Sequence, residues 1–140
     1  MRPVLLAAAL LLAAGCNTAG PLVDTAPVTT DGLVLTADAR AYGRGDTARL
    51  TLTNGSAATA TTGVLECALV ERWTGAAWTP SASGNDRACI QIARILAPGD
   101  AMTGEVPLDL PAGSYRLTQP VSLDGSGESV AVSTASFAVE

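Results

Sequence analysis

Between residues 47 and 53 the chain alternates strictly. Ala48, Leu50 and Leu52 fall on one face, and Thr47, Arg49, Thr51 and Thr53 on the other. A period of two belongs to a half-buried β-strand, because successive side chains point to opposite sides of a pleated backbone. Short runs of this kind recur about every ten residues, each ended by turn-forming residues, which is the spacing of an all-β sandwich or barrel. They cover residues 33–37, 64–73, 89–96, 101–108, 115–121 and 129–139. Within 64–73, Leu65, Cys67 and Leu69 are expected on one face, with Glu66 and Arg72 on the other. Pro107, near the end of 101–108, marks an edge strand, because proline cannot donate to a ladder. Asn54-Gly55, Pro98-Gly99 and Asp124-Gly125-Ser126-Gly127 are turn signals. Trp73 and Trp78 flank a fourth, Thr74-Gly75-Ala76-Ala77, as a hairpin. The Ala-rich stretch 56–60 reads as loop, because Thr59 and the adjacent Asn54-Gly55 oppose a helix. No segment shows a capped helical period, and no internal repeat is visible.

The N-terminus has a different grammar. Met1-Arg2 gives a short positive start, and residues 4–14 are an unbroken apolar run of 11. That is too short for a bilayer span, which takes about 20 helical residues, and it fits the apolar core of a secretory signal. The run ends in Leu12-Ala13-Ala14-Gly15-Cys16, which resembles the lipobox of bacterial lipoproteins, although Ala13 stands where Leu is commonest. The resemblance implies cleavage before Cys16, diacylglycerol on its sulfur and acylation of its new amine. Each buried lipid CH₂ contributes about 0.8 kcal/mol, and stable anchoring takes more than one chain. Asn17 follows where an Asp would be expected for inner-membrane retention, so the resemblance implies the outer membrane of the cell envelope. The expected partner through Cys16 is therefore a membrane. Residues 17–31, rich in Thr, Pro and Gly, read as a tether. Fully extended, such a stretch reaches on the order of 50 Å. The domain organisation is then a signal peptide at 1–15, a lipidated Cys and linker at 16–31, and one β-sandwich domain at 32–140.

Two features bear on the sandwich. Once Cys16 is modified, Cys67 and Cys89 are the remaining cysteines. In an exported chain they predict a disulfide, against the alternatives of two inert buried thiols or a metal pair. The segment Leu110-Pro111-Ala112-Gly113-Ser114-Tyr115 resembles the tyrosine corner of immunoglobulin-like sandwiches, with Gly113 in the tight corner and Tyr115 bonding back to the backbone. The alternative is a generic turn before an ordinary Tyr. With Tyr42-Gly43-Arg44-Gly45, Leu52-Thr53-Asn54-Gly55-Ser56, Glu71-Arg72-Trp73 with Gly75 and Trp78, Leu96-Ala97-Pro98-Gly99 and Phe137-Ala138-Val139, the order of motifs resembles bacterial immunoglobulin-like domains of small exported proteins. The resemblance implies an antiparallel β-sandwich of about seven strands and almost nothing about activity, because this fold hosts many functions. Both cysteines fall mid-chain, unlike those of antibody domains, so the bridge is expected to be local.

Composition removes most chemistries. The chain has 8 Lys+Arg, all of them Arg, against 13 Asp+Glu, for a net charge of −5, and it has no His. An acidic chain without a basic face is no nucleic-acid binder. Without His or Lys it lacks the usual general base, imidazole metal ligand and Schiff-base amine. Asp100, Glu105 and Asp109 cluster in sequence, as do Glu66 and Glu71, but nothing supplies a glycosidase cleft. Ser83 and Ser114 sit near glycines without a nucleophile elbow or a base. Asp124 and Glu128 are too few oxygen ligands for a tight Ca²⁺ loop. Asn54-Gly55-Ser56 matches a glycosylation sequon and reads here as turn chemistry. Neither an enzyme nor a cofactor is expected.

What remains is binding or structure. Trp73 and Trp78 are either a cross-strand pair stabilising their own hairpin or a binding surface for an envelope protein. A proteinase inhibitor is a second reading, with residues 79–86 beside the expected disulfide as its presented loop. A small-ligand or Ca²⁺-binding module is a third.

Overall fold

The structure is a computed structural model that describes Val23 and residues 26–140. The expected signal segment, Cys16 and most of the tether lie outside the described residues. Eleven strands follow: β1 (Leu33–Ala37), β2 (Ala41–Tyr42), β3 (Thr47–Asn54), β4 (Ala60–Thr62), β5 (Leu69–Trp73), β6 (Trp78–Pro80), β7 (Arg94–Leu96), β8 (Ala101–Pro107), β9 (Gly113–Leu123), β10 (Ser129–Ser133) and β11 (Phe137–Val139). Five of them are only two or three residues long, so the longer ones come close to the seven expected. No described helix is long and apolar enough to cross a membrane.

The strands form a β-sandwich of two sheets around one core. One antiparallel sheet has the order β1-β3-β8, with β8 at an edge as Pro107 predicts. The other is built on β9, whose 11 residues carry β11 and then β10 on one side, β5 and then β4 on the other. β6 extends β5, β7 extends β4, and β2 joins β11 in parallel.

The alternation in β3 works as its sequence requires. Ala48, Leu50 and Leu52 are completely buried against Leu33, Leu35, Val106, Leu117 and Phe137, residues of both sheets in one core. Removing a leucine of this kind from water contributes about 1.5–3 kcal/mol. On the other face Thr47 and Arg49 are exposed.

Three runs depart from the expected pattern. Residues 64–73 are not one strand. A 3-10 turn at Leu65–Cys67 precedes β5, and Leu65, Ala68 and Val70 are buried while Leu69 is exposed. The six residues 63–68 stand opposite only Gln119 and Pro120 of β9, since Thr62 pairs with Val121 and Leu69 with Thr118. Pro120 has no N–H to donate. Its carbonyl accepts from the Thr62 hydroxyl at 2.7 Å, so the missing donor faces the same side, and there the strand leaves the ladder.

Residues 89–96 also fail as a strand. Only Arg94–Leu96 pairs, and Ile90, Ile92 and Ile95 are 70%, 44% and 73% exposed. Last, 129–139 splits into β10 and β11. Thr134 takes over from the ladder between them, accepting from Leu117 N through its hydroxyl at 3.1 Å and donating its own N–H to Leu117 O at 2.9 Å.

Candidate binding surface beside the disulfide

The bulge at 63–68 closes the side of the sandwich where β7 and β8 belong to different sheets. Leu65 is buried there, directly against Gly104 of β8. Cys67, in the same turn, is bonded to Cys89 across 22 residues, with Cα atoms 5.6 Å apart. The disulfide holds residues 88–93 as a strap over the outside of this closure.

Clefts open along the strap. One of about 520 Å³ lies between Ile90, Ile92, Val64 and Pro120. Another of about 500 Å³ lies between Ile92, Arg87 and Arg94 and the facing Glu66 and Glu105. A third of about 270 Å³ separates Ile95 from Met102. At the floor of the first, the Gln119 amide donates to the Thr62 hydroxyl at 2.8 Å. That hydroxyl is itself committed to Pro120 O, which fixes the amide's orientation and leaves Gln119 Oε1 buried without a partner. Arg87 donates from Nη2 to Ala68 O at 2.9 Å, while its Nε and Nη1 are buried and unpaired. Burial pushes the Arg87 pKa below its ordinary value, opposed by the charge of Asp86. A buried donor without an acceptor costs about 1–3 kcal/mol, so this end of the molecule holds unmet hydrogen-bonding capacity beside exposed apolar side chains.

The residues singled out from sequence lie elsewhere. Trp73 and Trp78 are directly paired across the β5–β6 hairpin, with ring centroids 5.4 Å apart and planes at 56°. The Arg116 guanidinium lies 4.8 Å from the Trp78 ring centroid. Arg116 Nε also donates to Glu71 Oε2 at 2.6 Å, and Thr118 donates to the same oxygen at 2.7 Å. Burial alone would raise the Glu71 pKa, but the bonds from Arg116 and Thr118 and the charge of Arg116 outweigh it and hold the carboxyl below its ordinary value. Both indoles are half-buried and committed to their own hairpin.

At the far end, the Tyr115 hydroxyl donates to Pro111 O at 2.8 Å. A Cβ on Gly113 would come within 3.1 Å of the Arg72 guanidinium and 3.3 Å of the Tyr115 ring, so the corner is closely filled. The Tyr115 ring stacks on Phe137 at 6.3 Å, and burial raises its pKa.

The sequence-clustered carboxylates do not converge. Asp100 accepts from Ala97 N at 3.1 Å before β8 begins, and Asp109 pairs with Arg44 at 3.1 Å beyond its end. Ser114 is buried in β9. Residues 124–128 form the β9–β10 turn, tied by Ser126 Oγ to Leu123 O and Glu128 O. Among the described residues no three His, Cys, Asp or Glu side chains gather as a metal site. Asn54 is completely buried, and its amide donates to Ala58 O and Leu96 O at 2.9 and 3.0 Å, a structural hub rather than a glycan acceptor.

The 79–86 loop is bolted in place. Asn85 accepts from Val70 N at 2.8 Å and donates to Val70 O and Ser81 O at 2.8 and 2.7 Å. Sequence reasoning missed the strap as a surface. Its signal was three isoleucines in the eight residues 89–96, which a strand explains equally well. It also missed Asp38, which accepts from the Tyr42 hydroxyl at 2.6 Å and from Arg49 N at 2.9 Å.

No protein-family model matches this chain, and no curated protein matches it. Among solved structures it is similar to the ASH / PapD-like domain of human CEP192 (PapD-like domain 7), at 11% identity and a TM-score of 0.40, over 99% of this chain and 98% of that one.

Proposed function

We propose that the chain is an envelope lipoprotein, anchored through Cys16 to the outer membrane, whose immunoglobulin-like domain is a non-enzymatic binding module. Its working surface is the strap at 88–93 together with Arg94 and Ile95 of β7. The observation that carries this reading is the exposure of Ile90, Ile92 and Ile95 on a segment fixed by a disulfide at one end and a strand at the other. Contiguous exposed apolar side chains on a small domain mark contact surfaces. Rigid presentation lowers the entropy lost on binding. Asp100, Asp109 and Glu71 are committed to a loop amide and to ion pairs with Arg44 and Arg116.

Photo-crosslinking in intact cells tests the surface. A photoreactive amino acid at Ile92 is expected to give discrete adducts, whereas one at Ala76, exposed in the turn of the β5–β6 hairpin, gives none. Absence of adducts from position 92 contradicts the assignment.

The rigid 79–86 loop supports a second reading, proteinase inhibition. Ala82 and Ser83 are exposed at its tip while Asn85 pins its base. Incubation of the purified protein with a panel of serine, cysteine and metalloproteases decides it, and undiminished protease activity at stoichiometric excess excludes it.

A further inference from the structure

We propose that the partner of the strap is a second copy of this chain, in a two-fold contact centred on the isoleucines with Arg94 of each copy facing Glu105 of the other. The inference deepens the assignment of the strap as the working surface and rests on it.

Three observations point to a like partner. First, the charges around the strap are self-complementary. Arg87, Arg94, Glu66 and Glu105 line one cleft, two of each sign, and none forms an ion pair among the described residues. A two-fold axis makes every contact twice, so a patch carrying both signs can satisfy itself. Second, the whole chain has a net charge of −5, so two copies repel over most of their surface. The cleft, where these four charges cancel, is a place where they can meet. Third, the approach is open. Among the described residues β7 pairs with β4 and with no second strand. The N-terminal stretch leaves from the opposite flank, where Val23 N donates to Ser136 Oγ at 3.0 Å and Pro27 packs beside Thr36 and Ala37 of β1. β1 and β8 are opposite edges of one sheet. Two copies can therefore bring their strap sides together without their tethers between them.

Sedimentation velocity of the purified full chain in density-matched detergent tests this, with Arg94→Glu, Glu105→Arg and an equimolar mixture of the two. The wild-type chain is expected to dimerise reversibly. Each single reversal should weaken the dimer by about tenfold or more, and the mixture should restore it, because the reversed pair meets across the axis. Ile92→Asp should abolish the dimer. All these positions are exposed, and unchanged melting curves confirm that folding is intact. A wild-type chain that stays monomeric to its solubility limit overturns the proposal, as does a mixture no tighter than either variant alone. Crosslinks from position 92 only to other proteins overturn self-association yet keep the strap as a contact surface, whereas no crosslinks at all removes the surface itself.

Discussion

A Cβ placed on Gly104 would lie 2.6 Å from the Cβ of Leu65. Strand β8 and the 3-10 turn thus touch with no room for a side chain between them. Gly104→Ala must push the turn outward or tilt the strand, and overpacking of this kind costs about 1–3 kcal/mol. Leu65→Ala leaves a hole at the same point and is expected to cost about 2–5 kcal/mol. Thermal melts of both variants check this, and an unchanged midpoint for Gly104→Ala contradicts the close contact.

The disulfide joins cysteines 22 apart in sequence, and on the chain-entropy model a loop of that size contributes about 3 kcal/mol. Cys67→Ser/Cys89→Ser is expected to fold but melt at a lower temperature. The strap makes few other bonds, among them Ile92 N to Ile90 O at 3.1 Å. Its amides should therefore exchange faster in the variant, while those of β3 lose protection only in step with global stability. Uniform exchange across both regions would contradict the brace.

Tyr115→Phe removes one hydroxyl and leaves Pro111 O without its donor. The ring stays packed on Phe137, so the loss isolates the hydrogen bond, about 1–2 kcal/mol. Denaturant titration gives the value, and a loss below a few tenths of a kcal/mol contradicts the corner's role.

Acid should weaken the domain through two carboxyls. The Tyr42 hydroxyl, opposed by burial, together with the Arg49 amide and charge holds Asp38 below its ordinary 3.8. Burial opposes but does not cancel the bonds that hold Glu71 below its ordinary 4.5. A carboxyl with a lowered folded pKa contributes stability above its unfolded value, and that stability is lost as the pH falls through the folded one. The melting temperature is therefore expected to drop from about pH 4 downward, and Asp38→Asn should flatten the slope. Tyr42 and Tyr115 act at the other extreme. Burial raises both, so stability holds below the ordinary tyrosine range and falls above it.

The strands were legible where one face is buried and the other wet. β1 and β3 match their sequence pattern because Leu33, Leu35, Leu50 and Leu52 alternate with residues that water can keep. The Trp73–Trp78 hairpin was legible because the turn between them is local. Alternation misled at 64–73, where Leu69 is exposed and Ala68 buried. The cause, the missing N–H of Pro120, lies some fifty residues away on the partner strand. It misled again at 89–96, because isoleucines exposed on a strap and isoleucines buried in a strand carry the same letters. What separates them is the bond to Cys67, which fixes the segment outside the sheet. The half-buried Arg87 carried no sequence signal, since only the fold brings its guanidinium to Ala68 O, 19 residues away.

Intact-mass spectrometry of the chain extracted from membranes tests the tethered-module reading most directly. The expected product begins at Cys16 and carries the mass of a diacylglyceryl thioether and an acylated amine. A chain that retains residues 1–15, or begins elsewhere with an unmodified Cys16, would contradict it.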